Sequence, residues 1–373
     1  MSAIGTLAAV ANEIRESYTP QAGDDAMSYI GLEHVEQGTL HLCGVGDSSA
    51  VVSNKFRFQA GDILFGKMRP YFRKVVRPDF AGVCSTEISV IRPKIAEDGS
   101  FVFYFVANQS FVDAASTASK GDRPRAKWEQ FSTFESYLPE TSIVRQKIGS
   151  VLSAYDDLID NNRKRIALLE KAARLLYEEW FVRLRFPGHE HTPVVDGVPE
   201  GWERKLLFDV AEPTYGFSFK SHLFNEDEVG TPVIRIRDVP SGISQTFTPE
   251  EAPTEKLIQN GDLLIGMDGE FHMNLWSGGP SFLNQRVVCI KSKEEVNDFL
   301  LLQALKAPIA YYQATITGTT VAHLGAKHLK EIHLLIPGSG LLQVVNNLFA
   351  PLKQQIITLV LRPVSNVGHM TYI

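Results

Sequence analysis

The sequence predicts an α+β chain in which two similar, β-rich domains with helices alternate with long α-helices. Three observations carry this. FQAGDILFGKM at 58–68 and IQNGDLLIGMD at 258–268 share five of eleven positions, 200 residues apart. Further matches keep nearly the same offset. Between the two copies lies a run whose apolar residues recur in steps of three and four, the signature of a helix with one sticky seam.

The collinear matches set the domain boundaries. IGTLAAV at 4–10 corresponds to RKLLFDV at 204–210, YIGLEHV at 29–35 to VIRIRDV at 233–239, and STEISVI at 85–91 to NQRVVCI at 284–290. GDRPRAKWEQFSTFESYLP at 121–139 lies over GTTVAHLGAKHLKEIHLLIP at 318–337. Chance similarities would not hold one offset, so 1–141 and 187–338 are expected to be copies of one domain. Within each copy, short β-rich runs such as DILFGKM, EISVIRP, LLIGMD and RVVCIKS alternate with helical stretches. Gly61-Asp62 and Gly261-Asp262 are expected to turn the chain into paired strands.

Residues 142–186 are expected to form the first long helix, with Thr141 or Ser142 as N-cap. Ile148, Leu152, Tyr155, Ile159, Asn162, Ile166, Leu169, Ala173, Leu176 and Trp180 form its seam. At 1.5 Å per residue the rod is roughly 60 Å long. Asn162 is either a device that fixes register or an exposed position near a helix crossing. Residues 339–373 are expected to hold a second helix, seamed by Leu342, Val345, Phe349, Leu352, Ile356 and Leu359. Pro363 is expected to stop it at about half the length of the first. Leu169, Leu176 and Trp180 would then either pack on the chain's own globular domains or stay exposed; the exposed outcome is the one expected, since such an apolar stripe marks a partner surface.

Composition bounds the function. With 373 residues, 44% hydrophobic and 21% charged, the chain reads as soluble and multi-domain. No apolar run reaches the ~20 residues of a membrane span. No signal peptide is read at the N-terminus. Cys43, Cys84 and Cys289 are too scattered for a disulfide framework and fit a reducing cytoplasm. The net charge of −6 does not advertise nucleic-acid binding, but local patches count for more than the sum. GxxxxGK[ST] and Gly-rich dinucleotide loops are absent from the sequence, as is an Asn/Asp-Pro-Pro-Tyr/Phe tetrad.

The order of copy, long helix, copy, helix is joined by three specific strings: GDILFGKMRPYFRKV, RPRAKW and RQKIGSVLSAYDDLIDNNRKRIALLEKAARLLYEEWFV. Together they resemble the DNA-specificity subunit of type I restriction–modification enzymes, with a shortened C-terminal spacer helix. The resemblance implies two target-recognition domains, each reading half of a split site in double-stranded DNA. It implies an antiparallel coiled-coil spacer that docks methyltransferase (modification) subunits and a restriction motor-nuclease subunit. S-adenosylmethionine, ATP and magnesium would belong to those partners, leaving this chain without cofactor, metal or catalytic residue. Self-association through the long helix is a second way to cover its seam.

Candidate DNA-binding residues in the first copy fall in two clusters, Lys67, Arg69, Arg73 and Lys74, then Lys120, Arg123, Arg125 and Lys127. Lys and Arg clamp phosphates, and Arg reads guanine. An ordinary solvated basic loop would look similar; the resemblance favours DNA. The second copy is more polar: His272, Asn274, Asn284, Gln285, Arg286, Thr319, Thr320, His323, Lys327 and His328. Two rival readings stand beside this one. The first is a bilobed metal-dependent enzyme with a site from Asp262 to His272. The second is a decayed specificity subunit that no longer assembles.

Overall fold

Gly61 and Gly261 adopt φ of +87° and +89°, a region open to glycine and strained for other residues. The aspartate that follows closes each turn. Asp62 accepts the Gln59 N–H at 2.7 Å, and Asp262 accepts that of Gln259 at 2.9 Å. Each carboxylate also holds a cation from the neighbouring strand, Arg92 at 2.7 Å and Lys291 at 3.2 Å. The repeated Gly-Asp is therefore a strand-entry device built twice.

The computed structural model describes residues 2–21, 23–118, 124–293, 296–316 and 322–367. Lys120, Arg123, Thr319 and Thr320 lie outside them. The chain divides into two units, Met1–Leu158 and Ile159–Ile373.

The first unit runs β1 (Ser2–Thr6), β2 (Ala11–Ile14), β3 (Ser28–Ile30), β4 (Lys55–Phe58), β5 (Ile63–Gly66), β6 (Val75–Val76), β7 (Gly82–Ser85) and β8 (Ile88–Pro93). Helices α1 (Gly99–Ala107) and α2 (Gln109–Thr117) and strand β9 (Glu135–Pro139) follow. One sheet has the order β2-β8-β5-β6; a second is centred on β4-β7-β3. Strand β5 is buried throughout because its two faces serve two cores. Ile63 and Phe65 meet Phe101, Phe105, Phe111 and Phe131 on the helical side, and Leu64 meets Ile30, Cys84 and Val90 on the other. Successive side chains on a strand point to opposite faces, so an unbroken apolar run is what such a strand needs.

The second unit repeats this with β10 (Glu203–Leu206), β11 (Ala211–Tyr215), β12 (Thr231–Ile234), β13 (Leu257–Ile258), β14 (Leu263–Gly266), β15 (Met273–Leu275), β16 (Ser281–Leu283) and β17 (Val287–Ser292). Helix α4 (Asp298–Thr315) and strand β18 (His333–Ile336) close it. The sheet order β11-β17-β14-β15 matches that of the first unit position for position. So does the parallel pair, β3 with β7 and β12 with β16. Leu263 and Ile265 again face one core and Leu264 the other.

Helix α3 (Ser142–Tyr177) has 36 residues and ends in a π-helical turn, Glu178–Val182. Helix α5 (Ser339–Val367) has 29 residues and passes through both Pro351 and Pro363. The expected stop at Pro363 is thus corrected. A proline removes one backbone donor and crowds one carbonyl, a local cost. Here it does not end the helix, and α5 is shorter than α3 by less than the expected half.

The seam expectation also needs correction. Leu169, Leu176 and Trp180 are not bare: they pack on the core of the second unit around the fully buried Ala173. Phe349, Ile356 and Leu359 are buried, Phe349 and Ile356 in that same core, with Leu352 against it. Phe349 meets Phe299 of α4 edge-on at 6.0 Å. Among the large apolar residues that α3 leaves exposed are Ile148 of the expected seam, Ile143, and two separate series: Val144, Val151 and Leu158 in the first unit, and Leu168 and Leu175, followed by Val182, in the second. Both series have seven-residue spacing. Asn162 is 3% exposed and its Nδ2 has no hydrogen-bond partner among the described residues; the burial removes the reading of an exposed position. Among the described residues no helix is long and apolar enough to cross a membrane.

Candidate nucleic-acid interface

Strand β5 runs out of its sheet into Lys67-Met68-Arg69, and this segment pairs with Pro124-Arg125-Ala126. Arg69 N–H donates to the Pro124 carbonyl at 2.9 Å, Ala126 N–H donates to that of Lys67 at 3.0 Å, and Met68 bridges to Arg125. In the sequence Met68 and Arg125 stand 57 residues apart. The backbone zips them into one short ribbon.

Within that ribbon the side chains divide. Arg69 and Lys127 are exposed and make no ion pair among the described residues. Arg125 is held by Glu87 through two parallel bonds of 2.8 Å, Nε to Oε2 and Nη2 to Oε1. Lys67 is partly enclosed, 5.5 Å from the Phe56 ring centroid, and burial pushes its ammonium pKa down. Lys74 donates to the Leu32 carbonyl at 2.6 Å, and the Arg73 Nε is buried with no partner among the described residues. Lys74 is thereby tied into the fold. Arg69 and Arg73 have φ of +52° and +47° on either side of the single turn Pro70–Phe72. Left-handed backbone costs a non-glycine residue about 1–2 kcal/mol and clusters at working sites.

The second unit builds the same ribbon with different residues. Leu324 N–H donates to the Met267 carbonyl at 2.7 Å, Gly269 N–H donates to that of Ala322 at 3.0 Å, and Asp268 bridges to His323. Met267 N–H reaches the Arg286 carbonyl at 2.9 Å, as Lys67 N–H reaches that of Glu87 at 2.8 Å. Position 87 thus corresponds to 286, 68 to 268 and 125 to 323. The charge at one position is reversed, and its partner comes from a different position. The first unit has Glu87 holding Arg125; the second has Arg286 held by Asp268 at 3.2 Å, with the His323 Nδ1 2.5 Å from the same carboxylate.

The other predicted residues of this unit separate by role. His272 and Asn284 line an open cleft of about 550 Å³ with Arg235, Arg237, Glu270 and Arg286. His272 Nε2 lies 2.9 Å from Glu270. Gln285 and Lys327 are exposed. Asn274 donates to the Pro240 carbonyl at 3.0 Å and is structural. His328 accepts the Gly325 N–H at 3.0 Å; burial, then Lys327, holds its pKa down, as suits a neutral cap. Arg235 and Arg237 are functional candidates that sequence reasoning missed, because VIRIRDV stood out only as a repeat. The signal was present: aligned on YIGLEHV, they replace Gly31 and Glu33.

The metal-site rival has no assembled ligand set. Asp262 is spent on its turn and on Lys291, Asp268 on Arg286 and His323, and Glu270 on His272. Among the described residues no group of three or more His, Cys, Asp or Glu is placed to hold a metal.

The family model of the type I restriction modification DNA specificity domain matches residues 27–171 and again 199–363. The chain belongs to that family. It is 36% identical over 141 residues to the specificity subunit of the type I restriction enzyme EcoBI from Escherichia coli, covering 38% of this chain and 30% of that one. Against the MjaIX specificity subunit of Methanocaldococcus jannaschii it is 24% identical over 282 residues, 72% of this chain and 65% of that one. These matches span less than two thirds of either relative. The solved S subunit of a type I restriction–modification system from M. genitalium superposes with a TM-score of 0.60 at 14% identity, over 98% of this chain and 92% of that one. That likeness establishes the specificity-subunit fold, two domains of mixed sheet and helix with a long helix between them.

Proposed function

We propose that this specificity-family chain reads an interrupted double-stranded DNA target, one half-site per unit, and holds methyltransferase and motor-nuclease subunits that perform the chemistry. The observation that carries this is the duplicated ribbon. The same backbone pairing occurs in both units, yet its charged side chains differ, with Glu87 standing where the second unit has Arg286. Conserving a platform while changing its side chains is what two readers of two different sequences require. Two exposed apolar series, Val144, Val151 and Leu158 in the first unit and Leu168, Leu175 and Val182 in the second, suit docked subunits. S-adenosylmethionine, ATP and magnesium would arrive with them, in the cytoplasm.

Two measurements test the reading. The purified chain alone is expected to show no methyl transfer, cleavage or ATP hydrolysis, and turnover that survives purification to homogeneity would sink the division of labour. Binding isotherms at several salt concentrations should show Arg69→Ala and Lys127→Ala weakening all duplexes alike. Removing one phosphate neutralisation flattens the salt slope by about 0.9. Lys74→Ala should leave the slope unchanged, since its ammonium is already engaged by the Leu32 carbonyl. Unaltered slopes for Arg69→Ala and Lys127→Ala would remove the ribbon from the interface.

A further inference from the structure

The 550 Å³ cleft in the second unit has a counterpart position in the first, and the two differ in charge. Three contacts fix the correspondence. The Arg235 N–H is capped by Asp238 at 2.8 Å, and the Gly31 N–H by the His34 Nδ1 at 3.0 Å. Ile236 lies over Gly266, as Leu32 lies over Gly66. Arg286 and Glu87 offer their carbonyls to equivalent N–H groups. In the second unit the position carries Arg235, Arg237 and Arg286. In the first it carries Gly31, Glu33 and Glu87.

We propose that the arginine cleft of the second unit takes the major-groove edge of a guanine in its half-site. The proposal rests on the DNA-reading function above and names the base class that this cleft selects. A guanine presents two acceptors, O6 and N7, in the geometry of one guanidinium fork. Arg286 is suited to supply that fork. Its Nη1 is 3.2 Å from Asp268, and His323 braces the carboxylate from the other side. An arginine backed by a carboxylate has a fixed orientation and a largely cancelled charge. Cancelled charge is poor for clamping phosphate, which rewards net positive charge. Fixed orientation is what bidentate reading rewards.

Arg237 is held less tightly. It donates to the Thr246 hydroxyl at 3.1 Å and lies 3.9 Å from Asp238, with 60% of its side chain exposed. Arg235 stacks towards the Phe224 ring at 5.7 Å. The facing carboxylate, Glu270, is occupied by His272 at 2.9 Å. In the first unit, Glu33 and Glu87 at the corresponding place accept rather than donate. Glu33 suits the exocyclic amino group of cytosine, while Glu87 is engaged by Arg125.

The test uses the full chain assembled with its methyltransferase subunits, with the genome-wide methylated motif as readout. Arg286→Ala and Arg237→Ala are expected to make a guanine position degenerate in one half-site and leave the other half intact. Discrimination should fall about 5- to 150-fold for each bidentate pair removed. Arg286→Lys keeps the charge without the fork and should lose discrimination while retaining overall methylation. An unchanged motif at retained activity overturns the proposal. So does a uniform loss at all sites with both halves intact, which marks a phosphate clamp. Should the variant complexes prove inactive, the full chain is titrated with duplexes in which each guanine is replaced in turn, and equal losses on every duplex overturn it. If the unaltered complex yields no interrupted motif, it is the DNA-reading function itself that fails.

Discussion

Replacing Arg145 by alanine is expected to destabilise the first unit by about 3–5 kcal/mol, the usual cost of stripping one partner from a buried ion pair. Arg145 lies in the first turn of α3 and is 7% exposed; its partner Asp98, at the start of α1, is 1% exposed. The Nε donates to Asp98 Oδ2 at 2.7 Å, and Nη1 donates to the carbonyls of Pro139 at 2.7 Å and Glu140 at 3.1 Å. The Ser142 hydroxyl donates to the other Asp98 oxygen at 2.5 Å. Without the guanidinium, a carboxylate and two carbonyls are left enclosed with fewer donors. In the second unit the corresponding Asp298 is held in a wetter pair from a different turn of the helix, by Lys353 of α5 at 2.7 Å, with side chains 20% and 21% exposed. Lys353→Ala should therefore cost clearly less. Urea unfolding of the full chain, followed by hydrogen exchange in α1 and β9, separates the two units. Equal, small losses for both variants would mean that Asp98 does not anchor the long helix.

The latch shows what was legible in the sequence and what was not. The repeat itself was plain, because Gly-Asp turns and two-faced strands impose local residue patterns that survive divergence. The long helix was plain for the same reason. Its partner was not. A three-and-four spacing says that one face is covered, never by what, and Leu169, Leu176 and Trp180 found their cover in the second unit's own core. The pairing of Met68 with Arg125 was also hidden, since contacts between distant loops leave no periodic trace. The clusters were visible by composition, yet composition could not tell Arg69, which is exposed, from Lys74, which is bound to Leu32. The exchange of Glu87 for Arg286 lay within the aligned repeats, and it acquired meaning only when their backbones proved equivalent.

Exchanging residues 203–336 for the same segment of a relative is expected to replace one half of the methylated motif completely and to leave the other unchanged. The structural reason is closure. In the first unit β1 pairs antiparallel with β9, Ser2 opposite Pro139 and Thr6 opposite Glu135. In the second, β10 pairs with β18, Glu203 opposite Ile336 and Leu206 opposite His333. Each copy thus begins and ends on one two-stranded ladder, so the chain enters and leaves at a single place. The core of the second copy is sealed beyond that ladder by Ala173 and Leu176 of α3 and by Phe349 and Ile356 of α5. A donor segment must offer apolar residues at the positions of Leu207, Val210 and Phe299 to seat against them. With those matched, the bases read belong to the cleft and ribbon carried inside the segment, and nothing in the first unit's own ladder or ribbon is altered. Methylome sequencing of cells carrying the hybrid decides the matter. A motif changed in both halves would mean that recognition is not divided between the copies. A motif changed in neither, with the hybrid assembled and active, would place sequence reading outside residues 203–336 altogether.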